Sequence, residues 1–161
     1  MKLQGICLFW KHHKLLSRLV NEYKLDLLSI HGKGHWARVR KAGDFLCSYE
    51  NADYEVVFLF AYLHDIKRIN EGDDPEHGQR VGVFIEKLYQ ENQIRILKNQ
   101  LEVLVFACLH HSNSNIESSN ITVQTCWDAD RLDLWRIGIK PDKNMLNTIL
   151  GRSKEAINLL Q

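Results

Sequence analysis

The sequence predicts an all-α bundle of about seven helices, and two observations indicate the all-α class. Apolar residues recur at helical spacing through most of the 161 residues. The continuous apolar run at 56–63 has only helical neighbours and no second strand with which it could pair. Because a segment that is apolar on all sides is buried, we interpret this run as a central helix.

Turn and capping residues mark most boundaries between the predicted helices. Two glycines within 31–35 favour a turn, so His35 opens the second helix. Asn51 and Asp53 are capping candidates for the third, and Asp74 with the proline after it starts the fourth. The predicted helices cover about 15–27, 35–46, 54–66, 75–88, 97–111, 122–136 and 152–160.

Bulk properties indicate one domain over 1–161, since no linker or repeat divides the chain. The net charge of +1 gives no electrostatic case for nucleic acid or a membrane surface. No apolar run approaches the ~18 residues of a membrane span, and no signal-peptide core is visible. Four cysteines without C-x-x-C spacing indicate reduced thiols, so we expect a cytoplasmic protein.

Several polar side chains fall on apolar helix faces or at the ends of buried helices. In 122–136, Asp130 shares the apolar stripe of Trp127, whereas Asp128 and Asp133 fall away from it. The inward set is His35, His64, Asp65, His77, His110 or His111, and Asp130. By contrast, His12 and His13 lie in a basic stretch, and we expect both to be solvated.

Each inward residue has an ordinary structural explanation. His64 and Asp65 could satisfy each other, and Asp130 could pair with Arg131 or Arg136. Five or six such groups in one small bundle are harder to satisfy by mutual pairing. Imidazole and carboxylate together are good ligands for divalent ions, and helix bundles place such sites between facing helices. The set therefore indicates a metal site, and the absence of thiolates argues against a cysteine-type structural zinc.

Three motifs then occur in order between residues 31 and 141. They are H-W-A-R-V from His35, L-H-D ending at Asp65, and D-A-D-R-L-D from Asp128. With D-P-E-H-G from Asp74, the chain resembles the HD-domain superfamily, most closely its small bacterial members. Each motif is weak alone, but the ordered set is specific.

This resemblance implies an all-helical fold in which His35, His64, Asp65 and Asp130 hold a divalent metal ion (Mn, Mg, Fe, Ni, Co or Zn). It implies a metal-dependent phosphohydrolase acting on a small phosphorylated substrate, commonly a nucleotide, through a metal-activated water. Some members hold a second metal with additional histidines. Many members follow the H-D pair with x-G-K, where this chain has Ile66-Lys67-Arg68, so the residue that contacts phosphate stays open.

Roles at the expected site follow from side-chain chemistry. Asp65 would be a ligand and a proton acceptor, while His77 and His111, or His110, would act as acid or base groups, orient substrate or bind a second metal. Basic side chains near the site would neutralise phosphate charge. The candidates are Lys67, Arg68, Arg80 and Arg131, each of which could equally be solvated surface.

Three alternatives stay open on the sequence alone. The first is an HD-type di-iron oxygenase, which two metals and a histidine-rich second set would favour. The second is a non-catalytic nucleotide-binding module, against which the complete ligand set argues. The third is a structural helical protein, which would bind no stoichiometric metal.

Overall fold

The computed structural model describes residues 2–161, with side chains from Gln4 onward. Within that range it contains seven α-helices and no β-strand, so the predicted all-α class is confirmed. The helices are α1 (Lys2–Glu22), α2 (Lys33–Leu46), α3 (Tyr54–Leu63), α4 (His77–Gln90), α5 (Lys98–His110), α6 (Ile121–Arg131) and α7 (Lys154–Ile157). Two short 3-10 helices, Leu132–Ile137 and Lys143–Met145, lie between α6 and α7.

Helix α3 is the centre of the bundle and packs against α1, α2, α5 and α6. Every residue from Val56 to Ala61 is buried, and each fully buried large apolar side chain contributes about 1.5–3 kcal/mol. The helix begins where the Asp53 carboxylate accepts the N–H groups of Glu55 and Val56, as expected for a capping residue. It ends at Leu63 rather than at 66, which leaves the two polar residues that follow inside the bundle.

Helices α4 and α5 pack closely because the second residue of α4 is glycine. A Cβ added at Gly78 would lie 2.5 Å from the carbonyl oxygen of Leu109. Only glycine allows this approach of α4 to the α5 backbone. The consequence is that His77, at the start of α4, lies beside His111, at the end of α5.

Two predicted helix boundaries, the end of α1 and the start of α4, were wrong. Helix α1 ends at Glu22 rather than continuing to 27. Helix α4 begins at His77, because the Asp74 carboxylate accepts from the backbone N–H of Ile69 and from the guanidinium of Arg80 instead of capping the helix.

The expectation that His12 is solvated was also wrong. Its ring is buried on the side of α1 that faces α3, and its Nε2 lies 2.7 Å from Oε1 of Glu55. Lys11 contacts the same carboxylate, so the basic stretch pairs with an acid on the neighbouring helix. Over residues 2–161, none of the helices combines the length and the apolarity that crossing a membrane requires.

Candidate metal centre

The side chains predicted to point inward lie close together at one end of α3. They are His35 on α2, His64 and Asp65 directly after α3, His77 on α4, His111 directly after α5, and Asp130 on α6. Five of these side chains are at most 3% exposed, whereas that of Asp130 is 18% exposed. Of the two adjacent histidines, His111 faces this group, and the ring of His110 packs on Phe106.

Four of these residues form what we call the first cluster: His35, His64, Asp65 and Asp130. The two Nε2 atoms of the histidines lie 2.9 Å apart. Nε2 of His35 lies 3.5 Å from Oδ2 of Asp65 and 3.4 Å from Oδ1 of Asp130. Nε2 of His64 lies 3.5 Å and 3.7 Å from the same two oxygens. Each histidine nitrogen thus lies within 3.7 Å of an oxygen of both carboxylates.

The second cluster consists of Asp65, His77 and His111. The Nε2 atoms of the two histidines are again 2.9 Å apart. Oδ1 of Asp65 lies 3.4 Å from Nε2 of His77 and 3.5 Å from Nε2 of His111. Asp65 therefore faces the first cluster with Oδ2 and the second cluster with Oδ1, and it joins the two.

All four rings use Nδ1 for a hydrogen bond to an oxygen outside the clusters, which fixes the orientation of each ring. The acceptors are Asp133 Oδ2 for His35, Phe60 O for His64, Asp74 O for His77 and Cys108 O for His111. In a neutral ring that donates from Nδ1, Nε2 carries a lone pair and no proton. The two Nε2 atoms of each pair would then present lone pairs to each other. Such lone pairs repel unless a proton or a cation lies between them.

The spacing of these atoms fits a divalent cation. Nitrogen and oxygen ligands bind such ions at about 2.0–2.2 Å, so adjacent ligands on one ion are separated by about 3–3.5 Å. The distances in both clusters fall in or near that range. Oδ1 of Asp65 is also buried without a hydrogen-bond partner in the described chain, an arrangement that native proteins rarely leave uncompensated. Both clusters could therefore hold a cation.

The pKa values show that each histidine pair has one ring that favours a proton and one that does not. Burial lowers the pKa of His64 to about 3 and also lowers the pKa of His77. Burial acts in the same direction on His35 and His111, but the carboxylates that lie beside these rings outweigh it and raise both pKa values. A cation entering either cluster would displace such a proton.

The carboxylates of the first cluster are ionised. Burial alone would raise the pKa of Asp65 and Asp130, yet the neighbouring histidines hold both pKa values below the ordinary range. Ionised carboxylates and inward imidazole nitrogens are the ligand types that divalent transition metals prefer.

Asp133 supports the first cluster from outside, and the sequence-based expectation that it falls away from the inward face was wrong. It is fully buried, Oδ2 lies 2.7 Å from Nδ1 of His35, and Oδ1 accepts from Nε of Arg38 at 2.6 Å. The error arose because α6 ends at Arg131, and the tighter 3-10 helix turns Asp133 inward. Its carboxylate fixes the tautomer of His35, as supporting residues do in metal sites.

Asp128 is buried too, against expectation, but for a structural reason. Its carboxylate accepts the backbone N–H groups and side-chain donors of Asn147 and Thr148. Burial raises the pKa of this group, and those hydrogen bonds oppose the rise. Asp128 therefore anchors the segment before α7 to α6, and Asp130 alone of this pair faces the histidines.

The four basic candidates have different surroundings. Nη1 of Arg68 lies 3.6 Å from Oδ1 of Asp65 in a buried position, beside both clusters. Arg131 donates to the backbone of Met145 and borders a cavity next to Asp130. Lys67 pairs with Glu22 at 2.7 Å, and Arg80 pairs with Asp74.

A further arginine near the first cluster was missed by the sequence analysis as a functional candidate. Arg136 is 90% buried, and its charge acts on both His35 and Asp130. Nη1 donates to the carbonyl of Asp133, while Nε has no hydrogen-bond partner in the described chain. Its position depends on the 3-10 helix, which helical periodicity does not reveal.

No protein-family model, curated protein or solved structure matches this chain. Within the described residues, one group that could hold a metal ion consists of His35, His64 and Asp130, and another consists of His64, Asp65 and His111.

Proposed function

We propose that the protein is a metal-dependent phosphohydrolase of the HD-domain superfamily, acting on a phosphate ester or anhydride such as a nucleotide. The observation that carries the proposal is the convergence of four histidine Nε2 atoms with carboxylate oxygens of Asp65 and Asp130 at cation-ligand spacing. The motifs that resemble the superfamily contribute every ligand of the first cluster.

Two ions are the natural occupancy of this arrangement. His35, His64, Asp65 and Asp130 would hold the first ion, and Asp65, His77 and His111 the second. A bound divalent ion would polarise a phosphoryl oxygen and lower the pKa of water, which is the chemistry that hydrolysis requires. His77 and His111 would then be ligands rather than acid or base groups.

The remaining charged groups suit a phosphoryl substrate. Arg68 and Arg136 lie on the edges of the clusters and would neutralise phosphoryl oxygens. Both oxygens of Asp65 face histidines, so Asp130, whose side chain reaches solvent, is better placed to accept a proton.

The second cluster also favours another candidate, an HD-type di-iron oxygenase. Such an enzyme needs two irons close together, and the two histidine pairs joined by Asp65 would supply that arrangement. The two candidates differ in whether the reaction consumes O2.

A substrate panel tests the proposal and separates it from the alternatives. Protein stripped with chelator is reconstituted separately with Mn²⁺, Mg²⁺, Fe²⁺, Ni²⁺, Co²⁺ and Zn²⁺, and phosphate release is measured on nucleoside mono-, di- and triphosphates and simple esters. We expect release by wild type and none by His64→Ala, with His110→Ala as the matched control. Consumption of O2 by the Fe²⁺ form without phosphate release would support the oxygenase instead. Stoichiometric metal with neither activity would contradict both enzymatic candidates.

A further inference from the structure

A cavity of about 340 Å³ borders the first cluster at the point where that cluster reaches solvent. Asp130 lines the cavity and is the most exposed ligand of the clusters, and His111 lines it from the second cluster. One ligand residue from each cluster therefore contributes to the cavity wall.

Five of the twelve residues that line the cavity are aliphatic, and apolar atoms make up most of its surface. Two of the residues on this wall, Ile139 and Met145, are 51% and 50% exposed. The aliphatic lining residues are Leu134, Ile139, Pro141, Met145 and Leu146. The charged residues of the lining are Asp130, Arg131, Lys140 and Asp142.

The lining also constrains the kind of organic group that fits. No Phe, Tyr or Trp lines the cavity to stack on a nucleobase, and no Asn or Gln lines it to pair with a base edge. The volume is near the lower end of small-molecule sites, at about 300–1,000 Å³. The apolar part of the wall therefore suits a compact apolar group.

We propose that this cavity holds a compact apolar group of the substrate while its phosphoryl group lies at the clusters. The inference rests on the proposed function and deepens it by naming the substrate class: phosphate esters of small apolar alcohols or phenols. Contact with the aliphatic wall would give such esters an advantage of at least about tenfold in affinity over substrates with no apolar group.

Binding of two phosphonates that cannot be hydrolysed tests the inference without turnover. Full-length protein loaded with Mn²⁺ is titrated calorimetrically with phenylphosphonate and with methylphosphonate. We expect wild type to bind phenylphosphonate at least about tenfold more tightly. The double variant Ile139→Asn/Met145→Asn should lose this preference while keeping its metal content and its affinity for methylphosphonate. Ile149→Asn, at an exposed apolar residue outside the cavity wall, is the matched control.

The results separate this inference from the proposed reaction. Equal binding of the two phosphonates by wild type, including no binding of either, would overturn the cavity assignment even if phosphate esters are hydrolysed. A preference that survives the double variant would overturn it as well. A preference that the double variant abolishes supports the cavity assignment. If that result is obtained and no phosphate ester is hydrolysed, only the proposed reaction is contradicted.

Discussion

Nδ1 of His35 and Oδ2 of Asp133 lie 2.7 Å apart, although 98 positions separate the two residues in the chain and both side chains are fully buried. The second oxygen of the same carboxylate accepts from Arg38. This contact sets which nitrogen of His35 faces the first cluster. Cation binding by the cluster therefore depends on a residue that provides no ligand atom to it.

Asp133→Asn tests this dependence. The amide can present either its oxygen or its NH₂ group to His35 but carries no charge, so the ring is held less firmly. We expect Mn²⁺ affinity to fall about 10–100-fold, as measured by calorimetry. Asp26→Asn, which changes an exposed carboxylate that accepts the N–H of Leu28, should bind Mn²⁺ as wild type does. Unchanged affinity in Asp133→Asn would contradict the role of this residue.

Two glycines on α4 provide a matched pair for the second cluster. A Cβ at Gly78 would lie 2.5 Å from a backbone oxygen of α5, whereas a Cβ at Gly82 would make ordinary contact with Val105 at 3.6 Å. We expect Gly78→Ala to cost about 1–3 kcal/mol in urea denaturation and to weaken binding of the second cation, because α4 and α5 must separate. Gly82→Ala should be neutral or stabilising by up to about 1 kcal/mol. Similar effects of both changes would argue against close helix approach as the basis of the second cluster.

Arg68 and Lys67 are neighbours with different surroundings, so they test which basic residue contacts phosphate. Arg68 lies beside Asp65, whereas Lys67 pairs with Glu22 and lies over the ring of Phe84. Arg68→Ala should weaken orthophosphate binding to the Mn²⁺-loaded protein about tenfold or more, since hydrogen bonds to charged groups contribute about 1.5–3 kcal/mol. Lys67→Ala should bind orthophosphate as wild type does. The opposite order would contradict the assignment of the phosphate contact to Arg68.

His12 gives the protein a predicted sensitivity to acid that is independent of the metal ligands. Burial lowers the pKa of His12 below the ordinary histidine value of about 6.5. Below about pH 6.5 the unfolded chain binds a proton that the folded chain excludes, so the free energy of unfolding falls as the pH falls further. Above about pH 6.5, His12 has no effect on the pH dependence of the free energy of unfolding. In urea denaturation between about pH 7.5 and pH 5.5, His12→Gln should lose less stability than wild type. Parallel losses in the two proteins would contradict this expectation.

Much of the site could be predicted because its residues follow helical geometry. Periodicity and burial placed His64 and Asp65 at the end of a buried helix, and the 100° step of α6 selected Asp130 over its neighbours. These deductions need only the spacing of residues within one helix. The convergence of six side chains from different helices required the packed structure.

What the sequence could not predict depends on tertiary contacts and on helix endings. Asp133 and Arg136 face inward because α6 changes to a 3-10 helix, and no residue pattern marked that change. His12 is buried because its ring pairs with Glu55, which is 43 positions away in the sequence. The cavity beside Asp130 is formed mainly by residues of the loop and 3-10 helices after α6, for which apolar periodicity gives no information.

The central claim is that each cluster holds one divalent cation, and metal content after chelation and reconstitution tests it most directly. Measured by plasma mass spectrometry on Mn²⁺-reconstituted protein, wild type and the control His110→Ala should each retain about two ions per chain. His35→Ala should lose the ion of the first cluster and His77→Ala the ion of the second. Wild type that retains no stoichiometric metal, or His35→Ala and His77→Ala proteins that retain as much as wild type, would contradict the claim.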